Sequence, residues 1–171
     1  MAYSIAELNA MDRSQFTEAL GEIFEQTPTI AAQAWADRPF DDVEALYQAM
    51  AKVMGNLPQQ QQQVLICAHP DLGSRLKMAE ASVQEQAGVG LDRLSAERFA
   101  EFQTLNQQYR DRFQFPFIIA VKNHTQDSIL QAFYDRLQNP LELEFQQALR
   151  EILQIARFRL LDQVTIEATD D

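Results

Sequence analysis

Hydrophobic side chains recur along most of this chain at three- and four-residue steps, the spacing that lines one face of an α-helix. Near the N-terminus, Ser4 and Glu7 have the spacing of a capping box, in which a hydroxyl and a carboxylate close the first helical turn. Phe16, Leu20 and Phe24 follow at four-residue steps and are predicted to share one helix face. The pattern therefore predicts helices from the start of the chain.

The same spacing predicts helices through the rest of the sequence. Residues 41–44 open one helix, which residues 56–58 end. The glutamine run at 59–63 is either the polar start of the next helix or a solvated loop. Ser95 is predicted to cap a long helix. Three more helices are predicted over residues 79–87, 128–137 and 141–161.

One segment departs from the helical pattern. Residues 115–121 are β-branched and aromatic with one proline, which predicts either an extended strand or a buried connector. The predicted fold is therefore all-α, a single-domain bundle of about seven to eight helices with one short extended connector. The domain is expected to span residues 1–164, and residues 165–171 to form a frayed acidic tail.

Composition narrows the function classes. The 171 residues are 46% hydrophobic and 23% charged, which excludes disorder across the whole chain, and five glycines and six prolines are few for a turn-rich β-sandwich. Fourteen basic against twenty-five acidic residues leave a net charge of −11. That charge argues against a nucleic-acid partner, although one buried arginine can still bind a small anion.

Cysteine and histidine usage limits the chemistry further. A single cysteine, Cys67, permits no internal disulfide and favours a reducing compartment. No apolar run approaches the roughly 20 residues of a membrane span, and no targeting signal is seen at the start, so a cytoplasmic protein without a membrane partner is expected. His69 and His124 have no partner at a usual ligand spacing, so no metal site is predicted.

His69 is the first candidate for chemistry. It follows the apolar run 64–68, and Pro70 disfavours a helical conformation for it, so His69 is predicted at a break between elements. An imidazole can exchange a proton near neutral pH, so His69 is either an acid–base group or a structural turn residue. Cys67 and His69 are conceivable as a nucleophile pair, but a small buried core cysteine is favoured. His124 is predicted in a polar surface turn.

A second candidate is the sequence from Ser82 to Gln86. Ser82 and Glu85 have the spacing of a capping box, which is the structural interpretation. If Ser82 instead lies inside a helix, Ser82 and Gln86 share a face and Glu85 lies beside it. A hydroxyl, a carboxylate and an amide grouped in this way can bind a small polar heterocycle.

Arg159 is the third candidate. Steps of roughly 100° per residue from Leu149 place Arg159 beside Ile152, inside or at the margin of an apolar stripe, and Arg157 farther out on the other side. A buried unpaired charge is very costly, so Arg159 needs a partner. Either an internal carboxylate or an anionic ligand satisfies that need.

Five motifs occur in one order and with one spacing that is specific as a set. Together they resemble the OHCU decarboxylase family of urate breakdown, over about residues 5–164. The motifs are His69-Pro70-Asp71-Leu72-Gly73, Ser82-x-x-Glu85-Gln86-Ala87-Gly88-Val89-Gly90-Leu91-Asp92, Leu105-Asn106-x-x-Tyr109, Phe115-Pro116-Phe117 and Ile155-Ala156-x-x-Arg159-Leu160. In two places the chain departs from the family, which usually has glycine where Gln114 stands and a Gly-containing basic turn at residues 123–125.

The resemblance implies an all-α, cofactor-free homodimer. The implied reaction converts 2-oxo-4-hydroxy-4-carboxy-5-ureidoimidazoline (OHCU) to (S)-allantoin and CO₂. It makes His69 the catalytic acid/base, Glu85 the residue that orients or assists it, and Arg159 the anion-binding arginine. The other residues implied in substrate binding are Pro70, Ser82, Val83, Gln84 and Gln86, with Glu85 again, and the backbone of Phe117, Ile118, Ile119, Ala120 and Val121.

Two alternatives stay open on the sequence. One is a non-enzymatic helical interaction domain, in which His69, Glu85 and Arg159 are scattered and each has a structural partner. The other is a decarboxylase of a related ureido acid, which keeps the pocket and changes the substrate. An enzyme of either kind requires these side chains to converge.

Overall fold

The computed structural model describes residues 2–73 and 80–166. Within those residues the chain forms nine α-helices, two short 3-10 helices and no β-strand, which confirms the all-α class. The α-helices are α1 Ile5–Ala10, α2 Arg13–Leu20, α3 Thr29–Ala34, α4 Val43–Asn56, α5 Gln59–Cys67, α6 Glu80–Gly88, α7 Ala96–Phe113, α8 Gln126–Arg136 and α9 Leu141–Gln163. The 3-10 helices are Trp35–Asp37 and Val121–Asn123.

Side-chain caps fix where the helices begin. Ser4 and Glu7 form the predicted capping box of α1, and the Asp42 carboxylate accepts the Ala45 N–H at the start of α4. Ser95 caps α7 as predicted. Each cap satisfies one of the N–H groups that the first helical turn leaves without a partner.

The prediction of one face through Phe16, Leu20 and Phe24 is wrong in its last member. Asp12 is extended and caps a second helix with its own capping box, so α1 and α2 are separate. Helix α2 ends at Leu20, and Phe24 lies in the segment after the helix, where it is buried. Tertiary packing therefore positions Phe24. Because α1 and α2 are separate, the described residues contain more helices than the seven to eight expected.

The glutamine run takes the helical alternative. Helix α5 begins at Gln59, and the Gln62 Nε2 group donates to the Met54 and Gly55 carbonyls at 3.2 and 3.4 Å. These carbonyls belong to the last turn of α4, where helix carbonyls lack intrahelical partners. The run therefore begins one helix and caps the previous one.

The segment 115–121 is the buried connector and forms no strand. It begins after Gln114, which ends α7 in the left-handed region at φ 62°. Glycine is the residue most often found at this position, because it has no Cβ to clash. The backbone at Gln114 thus has the conformation that the family's usual glycine favours.

The chain divides into two compact units. The first comprises Met1–Leu65 and Leu153–Asp171, and its ends are joined because Tyr3 and Val164 form a bridge and Thr165 donates its N–H to the Tyr3 carbonyl. Thr165 belongs to the predicted tail, of which residues 167–171 lie outside the described residues.

The second unit, Ile66–Ile152, has an aromatic core. Phe117 stacks on Phe133 with ring centroids 3.8 Å apart, and Tyr109 meets Phe117 edge-to-face at 5.2 Å. Such ring pairs add about 0.5–1.5 kcal/mol each beyond the area that they bury. The core thus anchors the connector to α7 and α8.

None of the described helices has both the length and the apolar character that a membrane-spanning segment requires.

Candidate active site

His69 lies at a break between elements, as predicted. Helix α5 ends at Cys67, and the His69 N–H donates to the Ile66 carbonyl at 3.2 Å. The residue is only 6% exposed, and the following Pro70 is half-buried. His69 therefore lies two residues beyond the end of α5 and is buried rather than exposed in a surface turn.

Three side chains from α6 and α7 hold the loop that follows His69. The Gln86 Oε1 accepts the Gly73 N–H at 3.0 Å, and the Asn106 Nδ2 donates to the Leu72 carbonyl at 2.9 Å. The third side chain is Arg110, whose Nε lies 2.9 Å from the Asp71 Oδ1 in a partly exposed ion pair. The backbone beside His69 is therefore fixed from two helices.

Gly73, the last residue described before residue 80, has a backbone conformation that favours glycine. Its φ is +69°, and a Cβ at this position would lie 2.8 Å from the Leu94 Cδ1 atom. L-residues rarely adopt this region, so a substitution at Gly73 would strain the backbone near His69 and displace the end of the Leu94 side chain.

Helix α6 presents one buried polar face. Ser82 and Gln86 are buried, Glu85 is half-buried beside them, and Val83 and Gln84 are exposed. Because Ser82 lies inside α6, the capping-box interpretation is wrong and the shared-face interpretation is confirmed. The first residue of the predicted helix, Ala79, lies outside the described residues.

Gln86 also has a structural role that its spacing does not reveal. Its carbonyl oxygen accepts the Gly73 N–H, and its Nε2 lies 3.5 Å from the Asp71 carbonyl oxygen. A side-chain amide that contacts both an N–H and a carbonyl of a loop backbone fixes the position of that loop relative to α6. Gln86 therefore connects the His69 loop to the face that carries Glu85.

The connector meets the same region of the second unit. Helix α6 packs against the 3-10 helix Val121–Asn123 that ends the connector. The Gln126 Nε2 group donates to the Val89 and Gly90 carbonyls at 3.3 and 3.2 Å. The structure thus brings together α6 and the end of the connector, two of the motif regions singled out by the sequence.

All five residues of the connector between Phe117 and Val121 are buried. The Ile118 carbonyl accepts from the Arg136 Nη1 at 2.7 Å. The Ala120 N–H donates to the Glu151 Oε2 at 2.9 Å. Two side chains therefore hold the connector backbone by groups of opposite polarity.

Arg136 belongs to a buried polar network. The Glu144 Oε2 accepts from the Arg136 Nε at 2.9 Å and from the Tyr109 hydroxyl at 2.5 Å, and its Oε1 accepts from the Asn139 Nδ2 at 2.9 Å. Burial, followed by the hydrogen bond to Glu144, raises the pKa of Tyr109 above its usual range. This network contacts the connector through Arg136. Of its members, only Tyr109 belongs to a motif singled out by the sequence, Leu105-Asn106-x-x-Tyr109.

Arg159 is buried as the helix arithmetic predicts, with 4% exposure, and it lies in the first unit. Its Nη2 is 3.1 Å from the Glu25 Oε2, and its Nη1 donates to the Glu22 carbonyl at 3.3 Å. Glu25 is itself buried. Of the two partners left open by the sequence, the internal carboxylate is therefore present.

The other two candidates have simple outcomes. The prediction of a buried Cys67 is wrong, because this side chain is exposed. In the last turn of α5, Leu65 and Ile66 are fully buried, whereas Cys67 lies on the exposed side of the helix.

His124 lies in a turn and is half-buried, and its Nδ1 is 3.0 Å from the Ser128 Oγ. Among the described residues, no group of three or more His, Cys, Asp or Glu is arranged to hold a metal ion.

Comparison with known proteins decides between the remaining classes. The family model described as OHCU decarboxylase matches residues 9–161. The chain belongs to the OHCU decarboxylase family. This membership confirms the prediction of a carboxy-lyase. It also argues against a non-enzymatic interaction domain.

Two curated relatives show the extent of the similarity. The chain is 43% identical over 163 residues to the 2-oxo-4-hydroxy-4-carboxy-5-ureidoimidazoline decarboxylase of Halalkalicoccus jeotgali, covering 95% of this chain and 92% of that one. It is 44% identical to the uric acid degradation bifunctional protein PucL of Bacillus subtilis, covering 95% of this chain and 33% of that one.

A solved structure has the same fold. The crystal structure of (S)-allantoin synthase aligns with a TM-score of 0.77 and 28% identity, covering 94% of this chain and 54% of that one. The alignment spans nearly all of this all-α chain.

Proposed function

We propose that this OHCU decarboxylase family member converts OHCU to (S)-allantoin and CO₂ in urate breakdown, with His69 as acid/base. The observation that carries the proposal is a buried imidazole at the end of a helix, beside a loop held by Gln86 and Asn106. The family match over residues 9–161 supports the reaction. We also propose one functional domain over residues 1–164, which contains the matched span, followed by a C-terminal tail over residues 165–171.

The reaction needs a group that moves one proton. When the bond to the carboxylate breaks, CO₂ leaves and its electron pair enters the imine and carbonyl system of the ring. The former imine nitrogen takes up a proton from water, the hydroxyl group loses its proton and becomes a carbonyl, and the ring carbon bearing the ureido group gains a proton from one face. His69 is the group proposed to move that proton, a contribution typically of ~10²–10⁴-fold in rate.

The remaining residues position the substrate. Glu85, half-buried on α6, is proposed to orient the His69 ring, and Ser82, Gln86 and Pro70 to line the site. The adjoining Val83 and Gln84, whose side chains are exposed, complete the residues of α6 proposed to bind substrate. The connector backbone from residue 117 to 121 is proposed to bind the ring or ureido group.

Arg159 is proposed to bind the substrate carboxylate. A guanidinium has five N–H donors in a planar fork and can serve an internal and an external carboxylate together. The Nη2 contact to Glu25 and the Nη1 contact to the Glu22 carbonyl hold that fork in one orientation. This orientation supports a fixed anion site.

Two further features belong to the proposal. We propose a homodimer, which light scattering tests as a mass of twice the 19.6 kDa chain. We propose a cytoplasmic location, which the single cysteine supports because a reducing compartment needs no disulfide.

Circular dichroism tests the reaction directly. OHCU is generated in situ from urate by the two preceding enzymes, and the signal of (S)-allantoin is followed with and without this protein. The wild type is expected to produce a rapid signal, and His69→Ala to lose it while its far-ultraviolet spectrum is unchanged. A signal equal to that of the protein-free control would favour the related ureido acid as substrate. Near-normal turnover by His69→Ala would contradict the role of His69.

A further inference from the structure

We infer that Arg136 and Glu151 are positioning residues that orient the backbone of Ile119 toward the substrate. The inference rests on the proposed function and adds two side chains to it. Neither side chain belongs to the five motifs that carry the family resemblance. Both contact the connector on the peptide groups immediately next to Ile119.

Arg136 sets the direction of the Ile119 N–H. The Ile118 carbonyl and the Ile119 N–H belong to one peptide unit, in which a trans bond directs the two groups oppositely. This bond is trans, since the one cis peptide among the described residues is Arg38-Pro39. The Arg136 Nη1 holds the Ile118 oxygen at 2.7 Å. The Ile119 N–H therefore points away from Arg136.

Glu151 sets the direction of the Ile119 carbonyl in the same way. The Ala120 N–H donates to the Glu151 Oε2 at 2.9 Å, and the Ile119 carbonyl belongs to that peptide unit. The second carboxylate oxygen of Glu151 accepts from the Gln147 Nε2 at 2.9 Å, which limits rotation of the carboxylate. The Ile119 carbonyl therefore points away from Glu151.

Ile119 is left with one donor and one acceptor to offer. The residue is 4% exposed, and in the described part of the chain neither its N–H nor its carbonyl has a protein hydrogen-bond partner. Buried backbone groups are nearly always hydrogen-bonded, so a ligand or water is the expected partner. A donor beside an acceptor is the complement of a ureido group or ring amide, which carries a carbonyl beside an N–H.

Glu151 allows the cleaner test because it is half-buried, whereas Arg136 is part of a buried network. The experiment measures kcat and KM for OHCU and the affinity for (S)-allantoin in three variants. Glu151→Ala is expected to raise KM and the allantoin Kd about tenfold, the effect of one misaligned hydrogen bond, with kcat within about twofold. Glu151→Gln keeps an acceptor for the Ala120 N–H and is expected to restore most of the affinity.

The matched control is Glu101→Ala. Glu101 accepts from the Tyr134 hydroxyl at 2.7 Å on the surface of the same unit and touches no connector backbone. It is expected to behave as wild type. Equal KM and Kd in Glu151→Ala and Glu101→Ala, or no recovery in Glu151→Gln, would overturn the inference.

The design also separates this inference from the proposed function. A wild type that binds allantoin without turning over OHCU would overturn the proposed reaction, while the Kd values would still decide the role of Glu151. A wild type that neither turns over OHCU nor binds allantoin would overturn both.

Discussion

Two buried arginine–carboxylate pairs, one in each unit, use the same chemistry in different surroundings. In the first unit, the Arg159 Nη2 lies 3.1 Å from the Glu25 Oε2. Arg136 of the second unit lies 2.9 Å from Glu144, whose carboxylate also accepts from the Tyr109 hydroxyl. Charge pairing alone therefore does not separate an arginine that binds a ligand from one that supports the fold.

The difference lies in what else each guanidinium contacts. Arg136 reaches the Ile118 carbonyl of the connector, so it acts on backbone that is proposed to bind substrate. Arg159 reaches the Glu22 carbonyl, outside every motif that marks the family. Its proposed contact with substrate is direct, whereas that of Arg136 passes through Ile119. Substitutions in the two networks should therefore have different consequences.

Replacing Arg136 should destabilise the protein strongly. Arg136→Met removes the cation and leaves the Glu144 carboxylate buried, so the free energy of unfolding should fall by about 3–5 kcal/mol. Urea denaturation measures the change. Arg98→Met is the matched control, because Arg98 pairs with the exposed Asp127, and it should cost less than about 1 kcal/mol. Equal losses in the two variants would show that the buried network is not a main support of the second unit.

The next effect is on activity. Arg159→Lys keeps the charge and loses the planar fork, so kcat/KM for OHCU should fall about 10- to 100-fold, the range of a hydrogen bond to a charged group. Arg157→Lys, on the same helix and exposed beside Glu44, should stay within about twofold of wild type. If Arg159→Lys unfolds more easily but its folded fraction turns over normally, Arg159 is a structural residue.

The smallest effect is on the pH dependence of stability. The pKa of Tyr109 is raised in the folded protein above the value near 10 expected for an unfolded chain. Above that pH the unfolded chain loses the phenol proton before the folded one does, so stability falls as pH rises. Tyr109 should contribute about 1.4 kcal/mol per pH unit to that slope at most.

Urea midpoints between pH 8 and 11 test this. Tyr109→Phe should flatten the decline relative to wild type. Tyr134→Phe, whose hydroxyl bonds Glu101 on the surface, should leave most of the decline in place. Parallel curves for wild type and Tyr109→Phe would contradict the coupling of Tyr109 to folding.

Local features of the fold were predictable because they depend on neighbouring residues. The Ser4 and Ser95 caps, the break at His69 and the burial of Arg159 all follow from spacings of a few residues. The shared face of Ser82 and Gln86 follows from the helical period in the same way. These are positions where backbone geometry and side-chain pattern agree.

Other features could not be predicted because their partners are distant in sequence. Phe24 lies beyond its expected helix and is still buried, and Cys67 is exposed despite its apolar neighbours. Glu151 contacts Ala120, 31 residues away, and no local pattern singles it out. Gln86 satisfies a helical pattern, but its bond to Gly73 depends on the tertiary placement of a residue 13 positions away.

The all-α class, most helix starts and the family follow from the sequence alone, since periodicity, caps and ordered motifs are properties of short stretches. The contacts of the buried polar groups depend instead on the packing of the whole chain. Tyr109 meets Glu144 across 35 residues and Arg159 meets Glu25 across 134. The physical reason is that a buried charge must find a partner, but which partner it finds depends on how the helices pack.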